Sequence, residues 1–201
     1  MYVPKHFAID DLEAQHDLID ACDFGVIVSP GPEGLFATHI PMMLKRNEGR
    51  FGTIYGHVAR ANPHVKLFGS EALTVFSGPH AYVSPTWYSD RTATVPTWNY
   101  VAVHCTGVPT VHEGDVRAHL GEMVGRYEGA DGWSFGELAP QTQETMPRGI
   151  VTFRLEISRI EGKAKLSQNK PRGERERVIE GLKAAGESEL VAMMARKLDK
   201  V

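Results

Sequence analysis

Between Val151 and Ser158 the sequence alternates strictly, with Val151, Phe153, Leu155 and Ile157 apolar and Thr152, Arg154, Glu156 and Ser158 polar. Successive side chains of a strand point to opposite faces, so a period of two predicts a half-buried β-strand. Other segments supply partners for it. Phe24-Gly-Val-Ile-Val-Ser reads as a strand, Pro30 to Gly34 as dense turn chemistry, and Leu35 to Leu44 as the returning strand of a hairpin. After a polar turn at Lys45–Gly49, further strands are expected over about Phe51–Ala59, Ala72–Phe76 and Trp98–Val108. In the last of these, Trp98, Tyr100, Ala102 and His104 share one face, and Asn99, Val101, Val103 and Cys105 share the other.

Helices are inserted among these strands and do not alternate with them. One is expected from a cap at Asp10 or Asp11 to about Cys22, with Leu12, Leu18 and Ile19 inward. A second opens at Asp115, and its Val116, Leu120, Met123, Val124 and Tyr127 recur at helical spacing as a core stripe. A short helical piece falls in Thr142–Met146, and two helices close the chain near Glu174–Ala185 and Ser188–Leu198. A doubly wound sheet needs regular β-α-β alternation, which is missing. The pattern is mainly β with helical additions (α+β), an antiparallel barrel. The expected division is a barrel over 1–162, followed by a basic turn and two helices over 163–201 that pack on it.

Charged residues at 23% and apolar residues at 42% describe an ordinary globular protein, and a net charge of −3 provides no basic field for nucleic acid. Cys22 and Cys105 form no CxxC pair, which fits a reducing compartment. With no apolar run near the ~20 residues of a membrane span and no signal-peptide layout, the expected location is cytoplasmic, with no membrane partner.

Nucleophilic catalysis finds no G-x-S-x-G elbow, metal binding no H-E-x-x-H and no paired histidines on a helix, and phosphate loops no glycine-rich motif. No metal site is expected. Three polar clusters remain: Thr38-His39-Ile40-Pro41, the Gly56–Pro63 run with His57, Arg60 and Asn62, and Lys163–Lys170. A phosphate dianion needs a guanidinium or ammonium together with hydroxyl, amide or imidazole donors. These clusters hold those types, although Arg60 alone also reads as a solvated surface charge. Lys163–Arg177 carries six Lys or Arg against two Glu, either as an exposed loop or as an anion site. The aromatic stretch Gly78–His104, with Trp87, Trp98, Tyr82, Tyr88 and Tyr100, is either a packed hinge or the wall of a slot for a planar ligand.

Five motifs in order carry a resemblance over nearly the whole chain. They are Met1-Tyr-Val-Pro-Lys-His-Phe, Gly56-His-Val-Ala-Arg-Ala-Asn-Pro, Val83-Ser-Pro-Thr-Trp-Tyr, Pro96-Thr-Trp-Asn-Tyr and Lys165-Leu-Ser-Gln-Asn. Together they resemble the PaiB family, described as FMN-binding negative transcriptional regulators or protease synthase and sporulation regulators. Val65 and Lys66 depart from it, standing where an aromatic is expected after Asn-Pro-His. The resemblance implies an FMN-binding split β-barrel of Greek-key type and a homodimer with FMN at the subunit interface. It implies that Thr38, His39 and Ile40 line the flavin and that His57, Val58, Arg60 and Asn62 hold ribityl and phosphate. It also implies that Tyr88, Trp98, Asn99, Lys165, Ser167 and Gln168 close the site, from the same or the partner chain. No catalytic residue is named. The expected function is a flavin-dependent oxidoreductase acting on a small molecule, with NAD(P)H as a candidate donor. The alternative is a non-catalytic transcriptional regulator signalled by FMN or another ligand, and a third is a barrel that binds haem or only a protein. No DNA-reading element accompanies the regulatory label, so direct DNA binding has little sequence support.

Overall fold

The computed structural model describes residues 1–129 and 131–198, apart from the side chain of Lys197. Among these residues the chain forms β1 (Ala8–Ile9), α1 (Leu12–Ala21), β2 (Phe24–Gly31), β3 (Gly34–Lys45), β4 (Thr53–Ala59), β5 (Ala72–Val83), β6 (Thr97–Val111), α2 (Val116–Glu128), α3 (Pro140–Thr145), β7 (Ile150–Lys165), α4 (Arg172–Ala184) and α5 (Ser188–Leu198). Hydrogen-bonded neighbours run β1-β7-β4-β3-β2-β5-β6, and β6 also pairs with β7. That last pairing joins the ends of the run from β7 to β6, as a barrel requires. The pairings β1–β7, β2–β3, β2–β5, β3–β4 and β4–β7 are all antiparallel.

Two compact units divide the chain. One comprises Asp23–Val75 and Cys105–Ile160; the other comprises Met1–Cys22, Phe76–His104 and the segment from Glu161 onward. We call them the strand unit and the helix unit.

In the strand unit, β2 and β3 meet through a two-residue turn at Pro32–Glu33. It closes on Gly34, whose φ of 116° only glycine adopts without strain. Register places Val26 opposite His39 and Ile27 opposite Thr38. On β4 and β7 the pairs Ile54–Leu155 and Gly56–Phe153 bring the alternating apolar residues inward, and Ile54, Phe153 and Leu155 are fully buried. Gly56 leaves room for the Phe153 ring, since a Cβ there would lie 2.9 Å from ring carbons. Cys105 is fully buried, and burial pushes its thiol up to about 12, so it is an inert core residue.

The stripe expected on α2 differs in the structure. Its buried residues are His119 and Met123, while Val116, Leu120 and Val124 are only half-buried and Tyr127 is exposed. Polar contacts hold this helix instead. Arg126 Nε donates to Asp23 Oδ2 at 2.7 Å, and the Tyr127 hydroxyl donates to the same oxygen at 2.9 Å.

In the helix unit, Asp11 caps α1 by accepting from the Glu13 N–H at 3.2 Å. Ile19 faces the core with Gln15 and His16, and Leu12 and Leu18 are only half-buried. The Gln15 amide is buried because Nε2 donates to the Ile9 carbonyl at 2.6 Å. α4 and α5 share one apolar cluster with β5, β6 and β7, in which Val83, Val178 and Leu182 are fully buried and Leu190 and Met194 almost so. β5 runs on to Val83, past the expected end at Phe76. Gly78 permits this, because a Cβ there would meet Val101 Cγ2 of β6 at 2.4 Å. No described helix is long and apolar enough to cross a membrane.

Candidate functional site

Thr38 and Ile40 share one face of β3, while His39 points to the other face. Thr38 Oγ1 lies 2.8 Å from His64 Nδ1, and the Asn62 Nδ2 donates to it at 3.4 Å. Asn62 also caps the 3₁₀ turn Pro63–Leu67, its Oδ1 accepting from the His64 N–H at 2.9 Å. The far side of the imidazole, Nε2, is 2.8 Å from Ser29 Oγ.

Ser29 and His64 are both fully buried, and burial lowers the pKa of His64, so the ring is neutral. Among the described residues the Ser29 side chain bonds only to His64. Its hydroxyl must therefore donate to Nε2, which places the ring proton on Nδ1. Nδ1–H then donates to Thr38, which accepts a second bond from Asn62. The Thr38 hydrogen is left for a ligand.

His57, half-buried on β4, stands 3.1 Å through Nδ1 from Nε2 of His119, with the rings nearly perpendicular at 88°. Burial lowers both pKa values. That of His119 falls to about 4, with the neighbouring His57 as the second cause. Both rings are neutral near pH 7 and share one N–H between two nitrogens. Among the described residues no group of three or more His, Cys, Asp or Glu could hold a metal ion.

Val58 is core, so it can offer a ligand only backbone. Arg60 is exposed, yet its Nε donates to the Arg148 carbonyl at 2.7 Å and its Nη2 to that of Ile150 at 2.8 Å. One edge of the guanidinium thus clamps the entry to β7, and a phosphate would meet only the other edge.

The remaining candidates lie in the helix unit. Tyr88, Asn99, Lys165 and Ser167 line one cavity of about 300 Å³. Asn99, on the buried face of β6, donates from Nδ2 to Ser167 Oγ at 3.0 Å. Lys165 donates to the Thr97 hydroxyl. Gln168 is not in this cavity; its Oε1 accepts from the Leu166 N–H at 2.6 Å and its Nε2 donates to the Ala164 carbonyl, which stitches the turn after β7. Trp98 is also outside it, 53% exposed, with His80 and Tyr82 at ring-centroid distances of 6.2 and 6.1 Å. Trp87 packs on α4 at Gly181, where a Cβ would fall 2.2 Å from the indole. The aromatic stretch therefore contains both a packed hinge at Trp87 and an exposed aromatic wall at Trp98.

Sequence reasoning missed His64 and Ser29, and also Lys170 and Thr97 of the cavity. His64 follows Pro63 in a segment that reads as a turn or one helical turn, and no local pattern ties it to Ser29. Lys170 ends the basic cluster Lys163–Lys170, where a lysine reads equally well as a solvated charge.

Residues 1–159 match the family model described as "Putative FMN-binding domain". The chain is 35% identical to the protease synthase and sporulation protein PAI 2 of Bacillus subtilis, over 90% of this chain and 89% of that one. It is 30% identical to an uncharacterized protein of Aspergillus fumigatus, over 80% of each. Among solved structures, the flavocytochrome Anf3 of Azotobacter vinelandii superposes with a TM-score of 0.64 at 17% identity, covering 81% of this chain and 72% of that one. The FAD and heme binding protein of Mycobacterium smegmatis gives 0.61 at 16% identity, covering 79% and 73%. At such identities these two likenesses establish the fold alone. The family model and the Bacillus subtilis relative each span most of the chain, and on them the chain belongs to the PaiB family of FMN-binding-domain proteins.

Proposed function

We propose that this chain holds FMN and works through it as an oxidoreductase on a small molecule, as a homodimer with the cofactor at the subunit interface. The observation that carries the proposal is Thr38 Oγ1 on β3 lying 2.8 Å from His64 Nδ1 and 3.4 Å from Asn62 Nδ2. With the His64 proton on Nδ1, as the burial of Ser29 requires, it accepts both bonds and keeps its own hydrogen for an acceptor. FMN presents acceptors of the right kind in its ring carbonyls and ribityl oxygens. The imidazole of His57, the amide of Asn62 and the outer edge of Arg60 supply the other donor types, so the residues fit the group. Thr38, Ile40, His57, Arg60 and Asn62 would hold it through side chains, and Val58 through its backbone. His39 lies on the opposite face of β3 and would reach it only through the backbone. When bound, FMN supplies hydride and electron transfer, and the chain supplies orientation and hydrogen bonding.

An absorbance spectrum after reconstitution with FMN and desalting tests this reading. The expected result is flavin bands that co-elute with the protein and bleach on addition of NAD(P)H. Thr38→Val should weaken FMN roughly tenfold, the worth of one hydrogen bond of about 1.4 kcal/mol. A colourless protein after reconstitution would overturn it. The resemblance of the five sequence motifs to the PaiB family supports a second reading, a regulator without catalysis. That reading predicts retained flavin that NAD(P)H leaves unbleached, together with salt-dependent retention on DNA.

A further inference from the structure

In the helix unit the cavity beside the turn after β7 is lined by Lys165 and Lys170, and among the described residues no Asp or Glu lines it. Among the described residues neither ammonium has a carboxylate in an ion pair. Lys165 donates to the neutral Thr97 hydroxyl, and Lys170 Nζ lies 5.3 Å over the Tyr88 ring. Glu174 feels the charge of Lys170, but its carboxylate is taken up by Ser89: Oε2 accepts from the backbone N–H at 3.1 Å and Oε1 from the hydroxyl. Two positive charges thus line one concave space, and among the described residues neither is paired with a carboxylate. Such an arrangement is unfavourable unless an anion enters.

The turn that presents them is strained. Ser167 is the only non-glycine residue with positive φ among those described, at 61°, and it is 4% exposed. Backbone in that region costs of order 1 kcal/mol or more for a residue with a Cβ, and it persists where surrounding contacts hold it. Here the holding contact is the fully buried Asn99, whose Nδ2 donates to Ser167 Oγ. Asn99 also reaches the Met194 sulfur at 3.4 Å, so α5 supports the turn from behind.

We propose that this cavity is an anion site that takes the phosphate-monoester or carboxylate group of a small molecule. Lys165 and Lys170 supply the charge, and the Thr97 hydroxyl, which accepts from Lys165, has its hydrogen to donate. The Ser167 hydroxyl donates to Asn99 Oδ1 at 3.2 Å and fixes the turn. A volume of about 300 Å³ is at the lower end of small-ligand pockets and too confined for a nucleic-acid backbone to track through. Tyr88 and the apolar rim at Val95 give the body of the ligand an aromatic and an aliphatic edge. Burial raises the Tyr88 phenol, so it stays neutral and does not oppose an incoming anion. The site's anion has two possible sources, the phosphate of FMN itself or that of a separate substrate. With the first the site rests on the flavin reading; with the second it stands independently of it.

Backbone NMR of the full chain, titrated with inorganic phosphate and with acetate, tests the proposal directly. The expected result is a saturable shift of the Ser167, Asn169 and Lys170 amide signals. It should weaken at least tenfold in Lys170→Gln and disappear in the Lys165→Gln/Lys170→Gln double variant. The double Lys→Arg variant should keep the binding, and Lys66→Gln, an exposed charge of the strand unit, should leave it unchanged. If the occupant is the FMN phosphate, FMN and inorganic phosphate compete, and the double Gln variant loses its preference for FMN over riboflavin. If it is a separate substrate, phosphate binds equally well when FMN is already present. Either result supports the site. Absence of a saturable shift with either anion, or equal shifts in the double Gln variant, would overturn it. Phosphate binding by a protein that retains no flavin would keep the anion site and sink the flavin reading.

Discussion

Because Ser29 and His64 are fully buried, every hydrogen between them has to be used inside the protein. The bonds from Ser29 through His64 to Thr38 therefore have a fixed direction, and the Nδ1–H tautomer of His64 is the observable that reports it. ¹⁵N spectra of the imidazole should show Nδ1 protonated and Nε2 as an acceptor at pH 7 and above. The opposite tautomer would make Thr38 a donor to His64 and remove its hydrogen from the ligand side. Ser29→Ala leaves Nε2 buried without a partner, and that should lower stability by about 1–3 kcal/mol in urea unfolding. None of this was legible in the sequence. Thr38 and Asn62 could be singled out by type and by resemblance. Their partners Ser29 and His64 are 35 residues apart and meet only because β2, β3 and the Pro63–Leu67 turn come together.

Helix α2 shows where periodicity stops being informative. The spacing of Val116, Leu120, Met123, Val124 and Tyr127 locates the helix correctly, but apolar counting cannot see that polar side chains attach it. His119 reaches His57 on β4, Glu122 accepts from Lys45 on β3, and Arg126 and Tyr127 share Asp23. The histidine pair makes this attachment sensitive to pH. Its folded pKa values lie below the ordinary value of about 6.5, that of His119 near 4, so the unfolded chain binds more protons between those values. Stability then rises with pH across that window and is lost as pH falls from about 6.5 towards 4. Of the groups facing the pair, one moderates this and two reinforce it. Glu122 favours the protonated form, while His112 and Lys45 oppose it. Hydrogen exchange in α2 should accelerate as the pH drops through this range, once the intrinsic rate is corrected for. His119→Gln, which retains a polar contact but does not titrate, should flatten the response. An unchanged pH profile in that variant would exclude the pair as its source.

At the scale of the whole chain, strands were legible even across a single Gly25, Pro41 or Gly56, and were cut short where glycine and proline stand side by side or where alternation gives way to a glycine and lysines. Val151–Ile157 reads correctly as strand, although β7 continues to Lys165. Gly78-Pro79 reads as an ending, because a glycine beside a proline ordinarily marks one, whereas β5 passes through it. These long strands matter for stability. β5, β6 and β7 each contribute residues to both units, so neither unit has a complete set of strands without the other. Unfolding should therefore be one cooperative transition rather than two. Met194 is the probe, since it is 1% exposed in the apolar cluster of α4 and α5 and its sulfur accepts from Asn99. Met194→Ala removes buried volume and should cost about 2–5 kcal/mol. If the strands couple the units, the urea midpoint will fall by the same amount whether it is followed by Trp87 and Trp98 of the helix unit, with Trp133 of the strand unit replaced by Phe, or by amide exchange at Ile54 and Leu155 of the strand unit. Two separated midpoints, with the strand unit unmoved by Met194→Ala, would mean that the shared strands can fray at the unit boundary. The helix unit, with the anion cavity it carries, would then open on its own.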